Sequence, residues 1–257
     1  PTRRSSDLPK EALAKARKQV ADLIGAGEKE ITFTSCGTEA DNWAVMGAAD
    51  ALKNKGNHII TTKIEHHAML HSCEFLEKHG YEVTYLDVDS EGLVDPAALE
   101  AAITDKTILI SIMFVNNEVG TVEPIKELAA IAKKHNILFH TDAVQALGNM
   151  EIDVKELGVD MMSMSAHKIY GPKGIGALYV DSHVKIQPIV FGGEQQKNVR
   201  SGTENVPGIA GLGVAAELFC KNRSTYVEQM YACKKHLIEG LEVLEDVTVN
   251  GVSGRRS

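Results

Sequence analysis

From Lys10 to Val180 the chain switches repeatedly between two periodicities, and that alternation most limits the folds open to it. Glu11 to Ile24 carries Leu13, Ala16, Val20 and Leu23 or Ile24 at helical spacing. Ile31–Thr34 reads as a short strand, and Gly37–Leu52 as a helix with an alanine-rich apolar side. Further strand patterns fall at His58–Thr62, Tyr81–Leu86, Thr107–Val115, Ile137–His140, Asp160–Met164 and Gly176–Val180. Helical patterns run through Phe75-Leu76, over Pro96–Ile103 and over Ile125–Lys134. Strands alternating with helices of this length require right-handed crossovers, and so a mainly parallel sheet sandwiched by helices. The reading is one large α/β domain over residues 9–222. A long helix from Gly213 onward leads toward a second, smaller C-terminal domain, of which 223–257 is the truncated start. Pro1–Leu8 has no pattern and is read as a non-native tail. Val247–Val249 reads as a strand after which the chain stops.

In such sheets ligands bind at the carboxyl ends of the strands, so polar residues just after strands are the ones to weigh. Three segments qualify. In Ser35-Cys36-Gly37-Thr38-Glu39, Gly37 lets backbone approach an anion, and the helix start offers free N–H groups. On its own this is weak evidence, because a small-residue turn before a helix is an ordinary cap. Asp142 closes a strand and could bind a sugar, a metal or a protonated ring nitrogen, or cap the segment that follows. In Ser165-Ala166-His167-Lys168-Ile169-Tyr170-Gly171-Pro172, the lysine lies between small polar residues and a Gly/Pro turn. A crowded lysine has a lowered pKa and can form a Schiff base. Taken together, anion cradle, acid and lysine meet the three needs of pyridoxal phosphate: a lysine for its aldehyde, an acid for its pyridine nitrogen and donors for its phosphate.

Composition narrows the alternatives. Aromatic residues make up 5% of the chain and the net charge is -8, which argues against nucleic acid or an anionic membrane as the main partner. No apolar run is long enough to cross a bilayer. Cys36, Cys73, Cys220 and Cys233 form no CxxC pair and no metal-ligand spacing. That pattern suits a reducing cytosol, so a cytoplasmic protein without a metal site is expected.

The chain resembles the cysteine desulfurases of the NifS/IscS type, within the class V aminotransferase group of fold-type-I pyridoxal-phosphate enzymes. The resemblance runs from about Glu11 to Pro207. Its motifs are Thr34-Ser35 with Gly37-Thr38-Glu39, Glu65-His66-His67-Ala68, Val115-Asn116-Asn117-Glu118-Val119-Gly120, Asp142 with Gln145, Ser165 through Gly174, and Arg200-Ser201-Gly202-Thr203. It implies that Lys168 holds the cofactor covalently and later moves the Cα proton, and that Asp142 pairs with the pyridine nitrogen. His66 is implied to stack on the ring and assist proton transfer, with Asn117 and Gln145 on the phenolic oxygen. Gly37, Thr38, Ser165 and His167 are implied to hold the phosphate. Thr203 is similar to a residue that reaches the phosphate of the partner subunit, which implies a homodimer. The activity implied is conversion of L-cysteine to L-alanine, with the sulfur passed as an enzyme persulfide to an acceptor protein such as an iron–sulfur scaffold.

Two departures from the family pattern stand out. Cys36 sits where the family often has glycine, and is read as a tolerated small residue. None of the four cysteines matches the family's persulfide-forming motif, which lies well beyond Arg200 in a segment this chain does not contain, as does the arginine for the substrate carboxylate. Cofactor binding without desulfurase activity is therefore expected of this chain alone, together with exposed apolar surface. The rival readings are another class V aminotransferase or lyase, and a non-catalytic scaffold relative.

Overall fold

The computed structural model describes residues 7–250; the first six residues of the expected tail Pro1–Leu8 and the segment 251–257 lie outside them. The elements follow in order: α1 (Asp7–Leu23), β1 (Ile31–Thr34), α2 (Gly37–Leu52), β2 (His58–Thr62), α3 (His67–Glu77), β3 (Glu82–Leu86), α4 (Pro96–Ala102), β4 (Thr107–Ser111), α5 (Ile125–Lys134), β5 (Leu138–Asp142), α6 (Val154–Leu157), β6 (Met161–Ser165), β7 (Gly176–Val180) and α7 (Val206–Leu241). A 3-10 turn at Ala166–Ile169 follows β6.

The strands form one sheet in the order β1-β7-β6-β5-β4-β2-β3. β3, β2, β4, β5 and β6 pair in parallel, while β7 is antiparallel to both β6 and β1. β1 therefore points the same way as the five parallel strands, and six carboxyl ends face one edge of the sheet. Successive residues in the strands supply opposite faces, as the two-residue period demands. Ile60, Ile110, Met162 and Tyr179 enter a core shared with α1, α5 and α7. Their neighbours Ile59, Leu109, Met161 and Leu178 enter a second core under α2 and α3. Burial on both faces accounts for the near-continuous apolar strands.

Several boundaries differ from the sequence reading. α1 starts at Asp7, so two residues of the expected tail are helical, and Pro9 is accommodated in the first turn, where no N–H partner is lost. β4 ends at Ser111 because the chain leaves the sheet there. Ile112–Val115 stay buried, with Phe114 N–H on the Asp142 carbonyl at 2.8 Å and a single bridge between Val115 and Val122. The long helix begins at Val206, earlier than Gly213, because Asn205 caps Gly208 N–H and Pro207 fits its first turn. It runs unbroken across the expected 222/223 boundary. Its last buried residue is Phe219, so the change at this point is one of burial and not of chain direction. Val247–Val249 is not a strand: it is irregular, and Val247 and Val249 are 38% and 36% exposed with no strand beside them among the described residues. The sequence reading missed α6, a single turn capped by Asp153 on the N–H groups of Lys155 and Glu156 and closed by left-handed Gly158.

Candidate active site

Five strand ends supply the site. Gly37 and Thr38 open α2 after β1, and His66 caps α3 after β2. Asn117 lies in the loop after β4, Asp142 ends β5, and Ser165, His167 and Lys168 follow or end β6. Nine of the ten residues singled out in the sequence line one cleft of about 210 Å³: Gly37, Thr38, His66, Asn117, Asp142, Gln145, Ser165, His167 and Lys168. Thr203 is the exception. It lines a separate hollow with Phe33, Ser35, Gly174 and Arg200.

Local hydrogen bonds aim these groups. The buried Asp142 accepts Val144 N–H on Oδ1 at 2.9 Å, which leaves Oδ2 for the cleft. Burial pushes its carboxyl up, against the pull of that N–H and of the charges on His66 and Lys168. His66 Nδ1 accepts Ala68 N–H at 3.1 Å, so Nε2 is the nitrogen that carries the proton of the neutral ring. Glu65 ties this turn to the next strand end: its Oε1 accepts Thr62 Oγ1 at 2.8 Å and Met113 N–H at 2.9 Å. Asn116 Nδ2 donates to the Ile64 carbonyl at 3.0 Å, and its Oδ1 accepts Glu118 and Val119 N–H. Together these bonds fix the Asn117 loop relative to His66. Ser165 Oγ and His167 Nδ1 are 2.8 Å apart.

Lys168 corrects one expectation. It is not crowded or buried but exposed at the cleft, and has no hydrogen-bonded or ion-paired partner among the described residues. The 3-10 turn explains why: Ala166 and Ile169 face the core, which turns His167 and Lys168 outward into the cleft.

The cleft suits the cofactor named above by its donor set. Cys36 caps α2 without a side-chain hydrogen bond to the helix backbone, so first-turn N–H groups remain for an anion beside Thr38 and Ser165. A Cβ on Gly37 would lie 2.8 Å from Val144 Cγ2, so only glycine lets this cradle close on the turn after Asp142. A basic amine, a buried acid and an anion cradle thus converge at one point. Residues 2–257 match the family described as aminotransferase class-V.

The chain belongs to that family, in its NifS/IscS branch. It is 54% identical over 247 residues to a cysteine desulfurase IscS of Clostridium botulinum, covering 96% of this chain and 62% of that one. It is 54% identical over 242 residues to the cysteine desulfurase IscS of Methanosarcina thermophila, covering 94% of this chain and 60% of the relative. A solved NifS-like protein superposes with a TM-score of 0.92 at 40% identity, covering 95% of this chain and 68% of that structure. The chain thus spans about 62% of the length of the first of these curated relatives.

Within this class-V cleft, Cys36, Asp41, Met113 and Val144 were not among the residues read from the sequence as site residues. Asp41 carried a legible signal. Gly37, Ala40, Asp41, Ala44, Val45, Ala48 and Ala49 form the buried stripe of α2, and an acid on such a stripe is out of place. Arg200 was noted only as part of a motif. Its guanidinium grips Glu39 with two bonds, Nε to Oε1 at 2.7 Å and Nη2 to Oε2 at 2.9 Å, and so anchors residues 200–203 to the first turn of α2. Beside Asn117 and Gln145 the cleft adjoins a second hollow of about 380 Å³ under Met230 and Tyr231 of α7. No helix among the described residues is long and apolar enough to cross a membrane.

Proposed function

We propose that this chain forms the pyridoxal-phosphate-binding part of a cysteine desulfurase, which takes L-cysteine to L-alanine and passes the sulfur as an enzyme persulfide to an acceptor protein such as an iron–sulfur scaffold. The observation that carries the reading is the convergence of Lys168, Asp142, His66 and the Gly37-Thr38 cradle in one cleft of a NifS/IscS-type fold.

Lys168 Nζ would hold the cofactor, Asp142 Oδ2 its ring nitrogen, and Thr38, Ser165, His167 and the α2 N-terminus its phosphate. When bound, the cofactor supplies an electron sink for the pair left behind as the substrate Cα loses its proton. His66 presents an Nε2 proton to the cleft, and Lys168, with no ion-pair partner among the described residues, would move the Cα proton. Asn117 and Gln145, whose side chains line the same cleft, would orient the ring by hydrogen bonds from their amides. Thr203 stands away from this cleft, which suits a homodimer in which it serves the other copy's cofactor. Cytoplasmic residence suits four free cysteines.

None of those cysteines is a good sulfur nucleophile here. Cys73 is buried, with its thiol pushed up to about 12 by burial and nearby carboxylates, and Cys220 and Cys233 lie on α7 outside the cleft. Cys36 stands on the phosphate side. The chain alone should therefore release neither alanine nor sulfide from L-cysteine, and either product would overturn this part of the reading.

Borohydride reduction with pyridoxal 5'-phosphate, followed by peptide mapping, tests the site. The expected result is one phosphopyridoxyl group on Lys168, absent in Lys168→Ala. Label spread over surface lysines with none at Lys168 would overturn the assignment.

A further inference from the structure

Asp41 lines the same cleft as Asp142 and Lys168, yet no role above uses it. Its side chain is 2% exposed and its Oδ1 has no hydrogen-bond partner among the described residues. An ionised carboxylate in that state must find a counter-ion or keep its proton. The charges facing it give no counter-ion. His140 Nε2 is 3.9 Å from Oδ1, but burial keeps that ring neutral, with its pKa pushed down to about 3. Asp142, Glu65 and Cys36 are like-signed when ionised. The cleft's cation, Lys168, acts on Asp142 instead, which also accepts Val144 N–H.

The groups beneath Asp41 satisfy one another without a charge. Ser111 Oγ lies 2.7 Å from His140 Nδ1 and 3.9 Å from Met69 Sδ, and His140 Nε2 lies 2.9 Å from Ser163 Oγ. A neutral His140 meets both hydroxyls in either tautomer, so this network offers Asp41 the Ser163 hydroxyl and no cation.

We propose that Asp41 is a neutral carboxylic acid and the positioning residue for Asp142, leaving the single negative charge of the buried pair on Asp142. This deepens the cofactor reading and rests on it, since a charged Asp142 is what a protonated ring nitrogen needs. The two residues titrate as a pair, and the proton stays on the member that neither a cation nor a backbone N–H compensates.

Infrared difference spectroscopy of the whole chain without cofactor, at neutral pH, reads the charge state directly. Wild type against Asp41→Asn should show loss of one protonated-carboxyl band, and wild type against Asp142→Asn loss of a carboxylate band. Glu65→Gln assigns the separate acid band of that buried group. In Asp142→Asn the Asp41 band should titrate away at a pH lower by about one unit or more, because the neighbouring charge is gone. An acid band lost in Asp142→Asn and kept in Asp41→Asn, no acid band lost in Asp41→Asn, or an unmoved titration would each overturn the proposal. If circular dichroism shows Asp41→Asn unfolded, Ser163→Ala replaces it: the band should shift without vanishing, and an unmoved band overturns the proposal. Borohydride labelling of wild type separates the two readings. Label on Lys168 with the wrong bands sinks only the carboxyl pair; the right bands without label sink only the cofactor assignment.

Discussion

Two residues around Lys168 show how much local strain the site carries. Tyr170 adopts φ 60, a left-handed conformation that costs an L-residue about 1–2 kcal/mol. It is 77% exposed, and Phe219 and Tyr226 of α7 hold its ring at centroid distances of 5.5 and 6.4 Å. Gly148 has φ 80, and a Cβ there would lie 2.7 Å from Ile169 Cγ2 and Phe219 Cδ1, directly under the turn that carries Lys168. Gly148→Ala should destabilise by about 1–3 kcal/mol, as overpacking does, and reduce labelling at Lys168. Urea denaturation and peptide mapping would check both. Asp142→Asn should weaken pyridoxal-phosphate binding about tenfold or more, because a hydrogen bond to a charged partner contributes about 1.5–3 kcal/mol. Absorbance titration would measure it, and unchanged affinity would remove Asp142 from the site.

At the scale of elements, the first turn of α2 is where separate parts of the chain are joined. Glu39 accepts Ser35 N–H at 2.8 Å and both Arg200 bonds, and these partners hold its carboxyl below the usual range despite its burial. Gly176 lets β7 pass under the same turn, since a Cβ there would lie 2.7 Å from the Cys36 carbonyl carbon. Arg200→Ala should cost about 1–3 kcal/mol and loosen the cradle. Arg200→Lys should not restore it, because an ammonium lacks the planar fork that spans two carboxylate oxygens. Full recovery of stability and cofactor affinity in the lysine variant would show the bond to be a simple surface ion pair.

For the molecule as a whole, buried titratable groups set how stability changes with pH. His140 goes from an ordinary 6.5 down to about 3 on folding, because burial excludes its charge. Between those values the unfolded chain binds a proton that the folded chain does not, so stability falls as pH drops below about 6.5. Glu65 rises to about 8 and Glu123 to about 7, both mainly by burial. There the folded chain keeps protons that the unfolded chain loses above 4.5, so stability declines as pH rises. Above pH 6.5, where His140 no longer contributes, these acids should lower the melting temperature toward pH 8, and Glu65→Gln should flatten the slope. A melting temperature that climbs steadily to pH 8 would contradict both assignments. The expected exposed apolar surface falls largely on α7 and beyond it, at Val214, Leu218, Met230, Leu237, Val243 and Leu244.

The alternation of periods was enough to read the layered α/β architecture and most strands, because apolar spacing reports directly which faces are buried. The motifs after β1, β2, β4, β5 and β6 likewise marked nine residues that share the cleft, since a parallel sheet brings carboxyl ends together whatever the loops between them. Other features depended on partners distant in sequence. Lys168 looked crowded from its neighbours Ser165 and Gly171, yet the 3-10 turn swings it outward. Val247–Val249 had a strand's composition but no strand beside it among the described residues, and β-structure exists only when paired. Asp41 could be seen as an acid on an apolar stripe. Its protonation depends on Asp142, Ser163 and His140, which only the folded sheet carries to it.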